Sequence, residues 1–187
     1  MVSFLYWNTH RKPLHAEIGT LAEAHQVDVI ILSEWGESPA GLLESLNAGG
    51  TQDFQYAAGE CERIKIFTRF PSGSLTLKAE DDYFSIRRLK LQGSLEILLV
   101  AAHFPSKLFR SGETQEGLCR EVARTITKLE EQVKHNRTLL VGDLNMNPFE
   151  KGMVGADGMN AVMSRQVASR KSRTIMSKVY PFFFNPM

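Results

Sequence analysis

Residues 2–32 read VSFLYWNTHRKPLHAEIGTLAEAHQVDVIIL. Val2–Trp7 is rich in β-branched and aromatic residues, the composition of a strand. Pro13 then suits the first turn of a helix, and Leu14, Ile18, Leu21 and Ala22 recur on one face at helical spacing. Val27–Leu32 is a second short apolar run, the pattern of a strand covered on both faces. Strand, helix and strand in one stretch form a βαβ unit, which puts both strands in one sheet.

Outward from this stretch the chain changes character. Residues 54–57, 62–68, 74–79 and 83–91 are short strand-like runs separated by Gly, Pro and Asp, an antiparallel meander. Leu95–Ala102 (LEILLVAA) is again nearly continuous apolar strand. Residues 114–134 carry the clearest helical stripe, with Leu118, Val122, Ile126, Leu129 and Val133 spaced by four, four, three and four. Thr138–Gly142 (TLLVG) closes a second strand–helix–strand passage. No internal linker interrupts the run, so residues 1–187 are expected to form one α/β domain: two mixed sheets packed face to face with helices outside, a four-layer α/β/β/α sandwich.

Composition narrows the class. The chain is 43% hydrophobic and 23% charged with a net charge of +1, which excludes wholesale disorder and low complexity and gives no general polyanion-binding field. A chain of this length buries roughly two-thirds of its unfolded surface and needs no staples. Cys61 and Cys119 have no metal-type spacing and imply no disulfide framework, and no apolar run reaches membrane-spanning length. A cytoplasmic protein without a membrane span is the expectation. Residues 151–187 hold six Lys or Arg against one acid, a local +5 that leaves −4 for the first 150. Five of those bases fall in Arg165–Lys178, readable as a solvated basic helix or a phosphate-backbone contact, and three consecutive Phe residues, Phe182–Phe184, need something over them.

Uncompensated polar residues sit where apolar strands stop. Asn8 ends the first, Glu34 the second, His103 the LEILLVAA strand, and Asp143 with Asn145 the TLLVG strand. In α/β architectures sites assemble at such carboxyl ends. The local motifs are Tyr6-Trp7-Asn8, Leu32-Ser33-Glu34, Ile66-Phe67-Thr68-Arg69-Phe70-Pro71, Ala102-His103-Phe104-Pro105-Ser106 and Gly142-Asp143-Leu144-Asn145-Met146-Asn147-Pro148. In this order, over residues 3–150, they resemble the endonuclease/exonuclease/phosphatase superfamily, the metal-dependent phosphoesterases related to DNase I.

The resemblance implies a DNase I-like sandwich and a Mg²⁺- or Mn²⁺-dependent phosphodiester hydrolase. Glu34 and Asn8 would hold the metal; Asp143 would serve the attacking water, Asn145 would donate its amide to the phosphate, and His103 would hydrogen-bond a phosphoryl oxygen, or act as an acid if its pKa is raised. Arg69, Ser106 and Lys107 become candidate substrate contacts. The superfamily also ends on a strand carrying an Asp-His pair, and no Asp-His dipeptide occurs in this sequence. The expectation is therefore a C-terminally truncated domain with its second sheet incomplete. Three functions stay open: hydrolysis of DNA or RNA, hydrolysis of a small phosphoester or lipid headgroup, and a non-catalytic binding module.

Overall fold

β1 (Phe4–Asn8) pairs in parallel with β2 (Val29–Ser33) across the crossover helix α1 (His15–Ala24), as the pattern of residues 2–32 requires. The computed structural model describes residues 2–49, 53–108 and 112–186. The chain divides into two units, Met1–His103 with Asn136–Asp143, and Phe104–His135 with Leu144–Met187.

In the first unit a short helix follows that the apolar spacing did not announce, α2 (Pro39–Asn47). Its start is nonetheless written in the sequence: Ser38 Oγ accepts from the Ala40 amide at 3.2 Å and Pro39 occupies the first turn. β3 (Gln55–Tyr56) and β4 (Ile64–Thr68) complete the first sheet in the order β1-β2-β4-β3, with β4 antiparallel to β2. The second sheet, β5-β6-β7-β8, comprises β5 (Leu75–Glu80), β6 (Phe84–Leu89), β7 (Ile97–His103) and β8 (Thr138–Asp143). β5, β6 and β7 form an antiparallel meander, whereas β7 and β8 are parallel; the single meander expected over residues 54–91 is instead divided, with β3 and β4 paired in the first sheet. Both sheets are mixed.

Side-chain alternation sorts these strands into layers. On one face of the first sheet Leu5, Trp7, Ile30, Leu32 and Phe67 pack against Ile18, Ala22 and Leu42 of the helices. On its other face Phe4, Tyr6, Val29, Ile31 and Ile66 meet Leu99, Ala101, Leu139 and Val141 of the second sheet. The two sheets therefore pack face to face. Val29, Ile31, Ile66 and Leu99 are each at most 2% exposed, which stabilises the unit by about 1.5–3 kcal/mol apiece.

The second unit is built on α3 (Gly112–Val133), whose buried stripe runs through Gln115, Cys119, Val122, Ile126 and Leu129. α4 (Lys151–Val154), β9 (Ala161–Val162) and α5 (Arg165–Ala168) follow, then the hairpin β10 (Ser172–Ile175)–β11 (Lys178–Pro181) and β12 (Phe183–Phe184). The basic run is therefore not one helix: helical geometry stops at Ala168, Arg170 and Lys171 lie in the turn that follows, where Lys171 takes a left-handed backbone, and Arg173 and Lys178 ride on the hairpin. Phe183 and Phe184 pair in parallel with Ala161 and Val162, and Arg165 lies over the Phe184 ring at 5.8 Å. Both cysteines are buried and unpaired. No helix among the described residues is long and apolar enough to cross a membrane.

Gly142 lies opposite Ala102 in the β7–β8 pair, and a Cβ there would overlap the Ala102 carbonyl oxygen and stand 2.8 Å from its carbon. Only a residue without a side chain permits this approach. Gly142→Ala should cost about 3 kcal/mol of stability, because backbone rather than a flexible side chain must give way. Equilibrium unfolding in denaturant measures the loss.

Candidate functional site

Alternation continues past the apolar core to the ends of four strands. On the first sheet the inward series are Phe4-Tyr6-Asn8 and Val29-Ile31-Ser33; on the second they are Leu99-Ala101-His103 and Leu139-Val141-Asp143. Asn8 stands opposite Ser33, and His103 opposite Asp143. The last inward position of each strand is polar, so one end of the sandwich carries a polar floor.

Glu34 enters this group by a different route. Simple alternation would turn it towards the helices, but its φ of 51° is left-handed. Such a backbone is strained for a residue with a Cβ. It is held by two bonds onto the Glu34 carbonyl, from the Arg11 amide at 2.9 Å and from Thr9 Oγ1 at 2.9 Å. Thr9, only 1% exposed, also donates its amide and hydroxyl to the Ser33 carbonyl.

The result is a compact constellation. Asn8 Nδ2 donates to Glu34 Oε1 at 3.1 Å and to Asp143 Oδ2 at 3.3 Å, joining two carboxylates through one amide. The amide is aimed by the His10 N–H, which donates to Asn8 Oδ1 at 3.1 Å. His103 Nε2 lies 3.4 Å from Glu34 Oε1, while its Nδ1 is buried without a partner among the described residues. Beneath them the Tyr6 hydroxyl and Ser33 Oγ share a hydrogen bond of 2.8 Å, and burial raises the Tyr6 pKa above its ordinary value.

Burial also lowers the pKa of His103, 5% exposed, more than the charges of Glu34 and Asp143 raise it; Arg63 pushes in the same direction as burial. The shift favours the neutral imidazole and is opposite to the raised pKa that an acid role would need. In front of the group opens a cleft of about 580 Å³ bordered by Arg11, Glu34, Trp35, Glu62, Arg63 and His103, with Glu60 and Asp82 on its acidic side.

Among the described residues no three His, Cys, Asp or Glu side chains could together hold a metal ion. A closed cage of His, Cys, Asp and Glu ligands is thus not built among the described residues. Mg²⁺ asks for less, one or two carboxylates with water in the remaining positions. Glu34 and Asp143 offer hard carboxylate oxygens of that kind.

The structure brings together Asn8, Glu34, His103 and Asp143, all in the first unit. Asn145 lies in the second, two residues beyond Asp143, with a left-handed φ of 50° and its Nδ2 donating to the Phe104 carbonyl at 2.9 Å. Ser106 Oγ accepts from the Leu108 amide at 3.3 Å, and Lys107 is paired with Glu150. Arg69 does not belong to the group. Because β4 runs antiparallel to β2, its carboxyl end lies beside Val29, about 13 Å of strand from Ser33. There Arg69 Nε bonds Asp28 Oδ1 at 2.7 Å. Thr9 and Arg63 carry no sequence signal for the site, since a residue that holds a carbonyl or sits in a loop leaves no mark in apolar spacing, and Tyr6 enters only through the Tyr6-Trp7-Asn8 motif.

No family model and no curated protein matches the chain. Solved structures do. TDP2 from Caenorhabditis elegans, in truncated form, superposes with a TM-score of 0.51 at 17% identity, over 78% of this chain and 63% of that one. An endonuclease/exonuclease/phosphatase family protein from Leptotrichia buccalis gives 0.52 at 16% identity, over 79% and 67%. D. rerio TDP2 complexed with a single-strand DNA product gives 0.52 at 14%, over 83% and 64%. The fold is that of the endonuclease/exonuclease/phosphatase superfamily. The chain spans less than two thirds of the length of the C. elegans and D. rerio proteins.

Two outcomes test the site's construction. Thr9→Val keeps the shape but removes the hydroxyl from the Ser33 and Glu34 carbonyls, and should cost roughly 1–2 kcal/mol on unfolding. For His103 the folded pKa lies below the ordinary 6.5, so stability present above that value is lost as the pH falls below it. Denaturant unfolding at about pH 7.5 and pH 5.5 should show a steeper acid loss for wild type than for His103→Gln.

Proposed function

We propose that the chain is a divalent-metal-dependent phosphodiester hydrolase acting on nucleic acid. The observation that carries this reading is the meeting of Asn8, Glu34, His103 and Asp143 at one end of a sandwich with this superfamily's fold. Glu34 would hold Mg²⁺, or Mn²⁺ in its place, with Asn8 beside it; the ion, when bound, neutralises charge on the phosphoryl group. Asp143 is the group assigned to the attacking water, which it orients and relieves of a proton. His103, neutral and presenting Nε2 rather than its buried Nδ1, hydrogen-bonds a phosphoryl oxygen. Asn145 keeps the amide-donor role that its motif implies. The two buried free thiols suit a reducing compartment, the cytoplasm.

A second reading has an observation of its own. The cleft is bordered by Glu34, Glu60, Glu62 and Asp82 against only Arg11 and Arg63. That surplus of negative charge favours a small phosphoester over a long phosphate backbone.

Metal-dependent release of p-nitrophenol from bis(p-nitrophenyl) phosphate and nicking of plasmid DNA, with Asp143→Asn as blank, test both. Glu34→Gln should lower turnover roughly a hundred- to a thousand-fold and weaken Mn²⁺ binding measured by EPR. Equal Mn²⁺ affinity in wild type and variant would remove Glu34 as the metal ligand. Turnover of DNA alone supports the first reading and turnover of the small diester alone the second. Metal binding without hydrolysis of either would indicate a binding module.

A further inference from the structure

The loop of residues 57–63, between β3 and β4, arrives at the site end of the first sheet because Ile64 is paired with Ser33. It is anchored from beneath by a charged pair inside the sandwich. A register shift between Leu77 and Ala79 on β5 sets Glu80 opposite Ser85, whose side chain shares the inward face with that of Arg87. The carboxylate and guanidinium lie 3.9 Å apart with side chains only 9% and 5% exposed. Both reach the loop: Glu80 Oε2 accepts the Glu60 amide at 2.5 Å, and Arg87 Nη2 donates to the Ala58 carbonyl at 2.9 Å. Gly59 is clamped between them, since a Cβ there would stand 2.7 Å from Glu80 Oε2 and 2.8 Å from Arg87 Nη2. Cys61, 3% exposed, pins the next turn by donating its thiol to the Asp82 carbonyl at 3.5 Å.

Burying two charges is an expensive way to stabilise a core that apolar residues would fill. What this pair fixes is the height of the loop that carries Arg63 to the cleft. The Arg63 guanidinium lies over the Tyr83 ring at 5.0 Å and makes no ion pair or hydrogen bond among the described residues, although four carboxylates border the same cleft. Arg63 is exposed, and a guanidinium stacked by its face keeps its edge donors for an incoming group, a fork that fits two oxygens of a phosphate.

We infer that Arg63 is the cleft's phosphate-recognising cation, and that Glu80 is a positioning residue that acts through it by latching the loop of residues 57–63. The inference rests on the phosphoesterase reading of the same cleft and adds the residue that grips the substrate's anionic group. It also reconciles an acidic cleft with an anionic substrate, because one fixed fork serves a single phosphate and not a run of them.

Inorganic phosphate titrated by calorimetry into wild type, Arg63→Gln, Arg63→Lys, Glu80→Gln and the double variant Arg63→Gln/Glu80→Gln provides the test, with Mg²⁺ present throughout. Arg63→Gln should weaken phosphate binding roughly tenfold or more, with Arg63→Lys between it and wild type. The KM for bis(p-nitrophenyl) phosphate should rise in step. Glu80→Gln should reproduce this weakening with Arg63 in place, and the double variant should be no worse than Arg63→Gln. If Glu80→Gln does not fold, Gly59→Ala or Tyr83→Leu disturbs the same latch and platform and should have the same effect. Equal phosphate affinity in wild type and Arg63→Gln overturns the inference, as does additive loss in the double variant or absence of phosphate binding by wild type. Arg63-dependent phosphate binding without hydrolysis would instead sustain the inference while the phosphoesterase reading failed. Hydrolysis that ignores Arg63 would do the reverse.

Discussion

The pairing register of two parallel strand pairs governs everything at the site. Asn8 sits opposite Ser33 and His103 opposite Asp143, each two residues beyond an inward apolar side chain of its own strand. Because side chains alternate with a period of two, a slip of one residue in either pair would send its polar end to the other face. That slip is disfavoured because Val29–Leu32 and Leu98–Ala101 are buried on both faces, so it would turn the polar ends into an apolar layer that offers them no partners. The core that stabilises the sandwich thus also aims the groups at its end. Gly142 shows how tight the arrangement is, for no side chain fits where β8 passes Ala102.

Against that regular background the site carries local costs. Glu34 holds a left-handed backbone, and Thr9 is buried with both its amide and its hydroxyl committed to the carbonyls of Ser33 and Glu34. His103 is kept neutral by burial despite two nearby carboxylates, and its Nδ1 lacks a partner among the described residues. Strain and unmet polar atoms of this kind persist where the surrounding structure over-determines them, and they gather at functional sites. The buried Glu80–Arg87 pair belongs to the same class, a polar device inside an otherwise apolar layer that sets the position of one cleft wall.

Much of this was legible beforehand, for identifiable reasons. Both strand–helix–strand passages, the short strands between them and the α/β class follow from apolar periodicity, which burial enforces on any folded chain; that those short strands divide between two sheets does not. Asn8, Glu34, His103 and Asp143 were readable as polar residues that stop apolar strands. Arg69 was misplaced because its motif gives no strand direction; β4 runs antiparallel to β2 and carries it to the far end, onto Asp28. Lys107 is paired with Glu150, an acid distant in sequence that its own loop does not reveal. The helix α2 was passed over since its signal is a cap, Ser38-Pro39, rather than an apolar stripe.

By itself the sequence determined the apolar strands and the two crossover helices of residues 2–143, and that four of its strands stop on residues fit for phosphate chemistry. These are properties of single segments, set by local propensity and by the need to bury apolar surface. Only the tertiary structure decided which strand ends meet. Strand direction and sheet order depend on pairings between distant segments, and no residue records its partner. The turn of Glu34 towards Asn8 and His103 was decided there too, since a left-handed glutamate exists only where Thr9 and Arg11 hold its carbonyl. So was the role of Arg63, which in the sequence is one of 22 basic residues and in the fold is the guanidinium fixed over Tyr83 at the cleft.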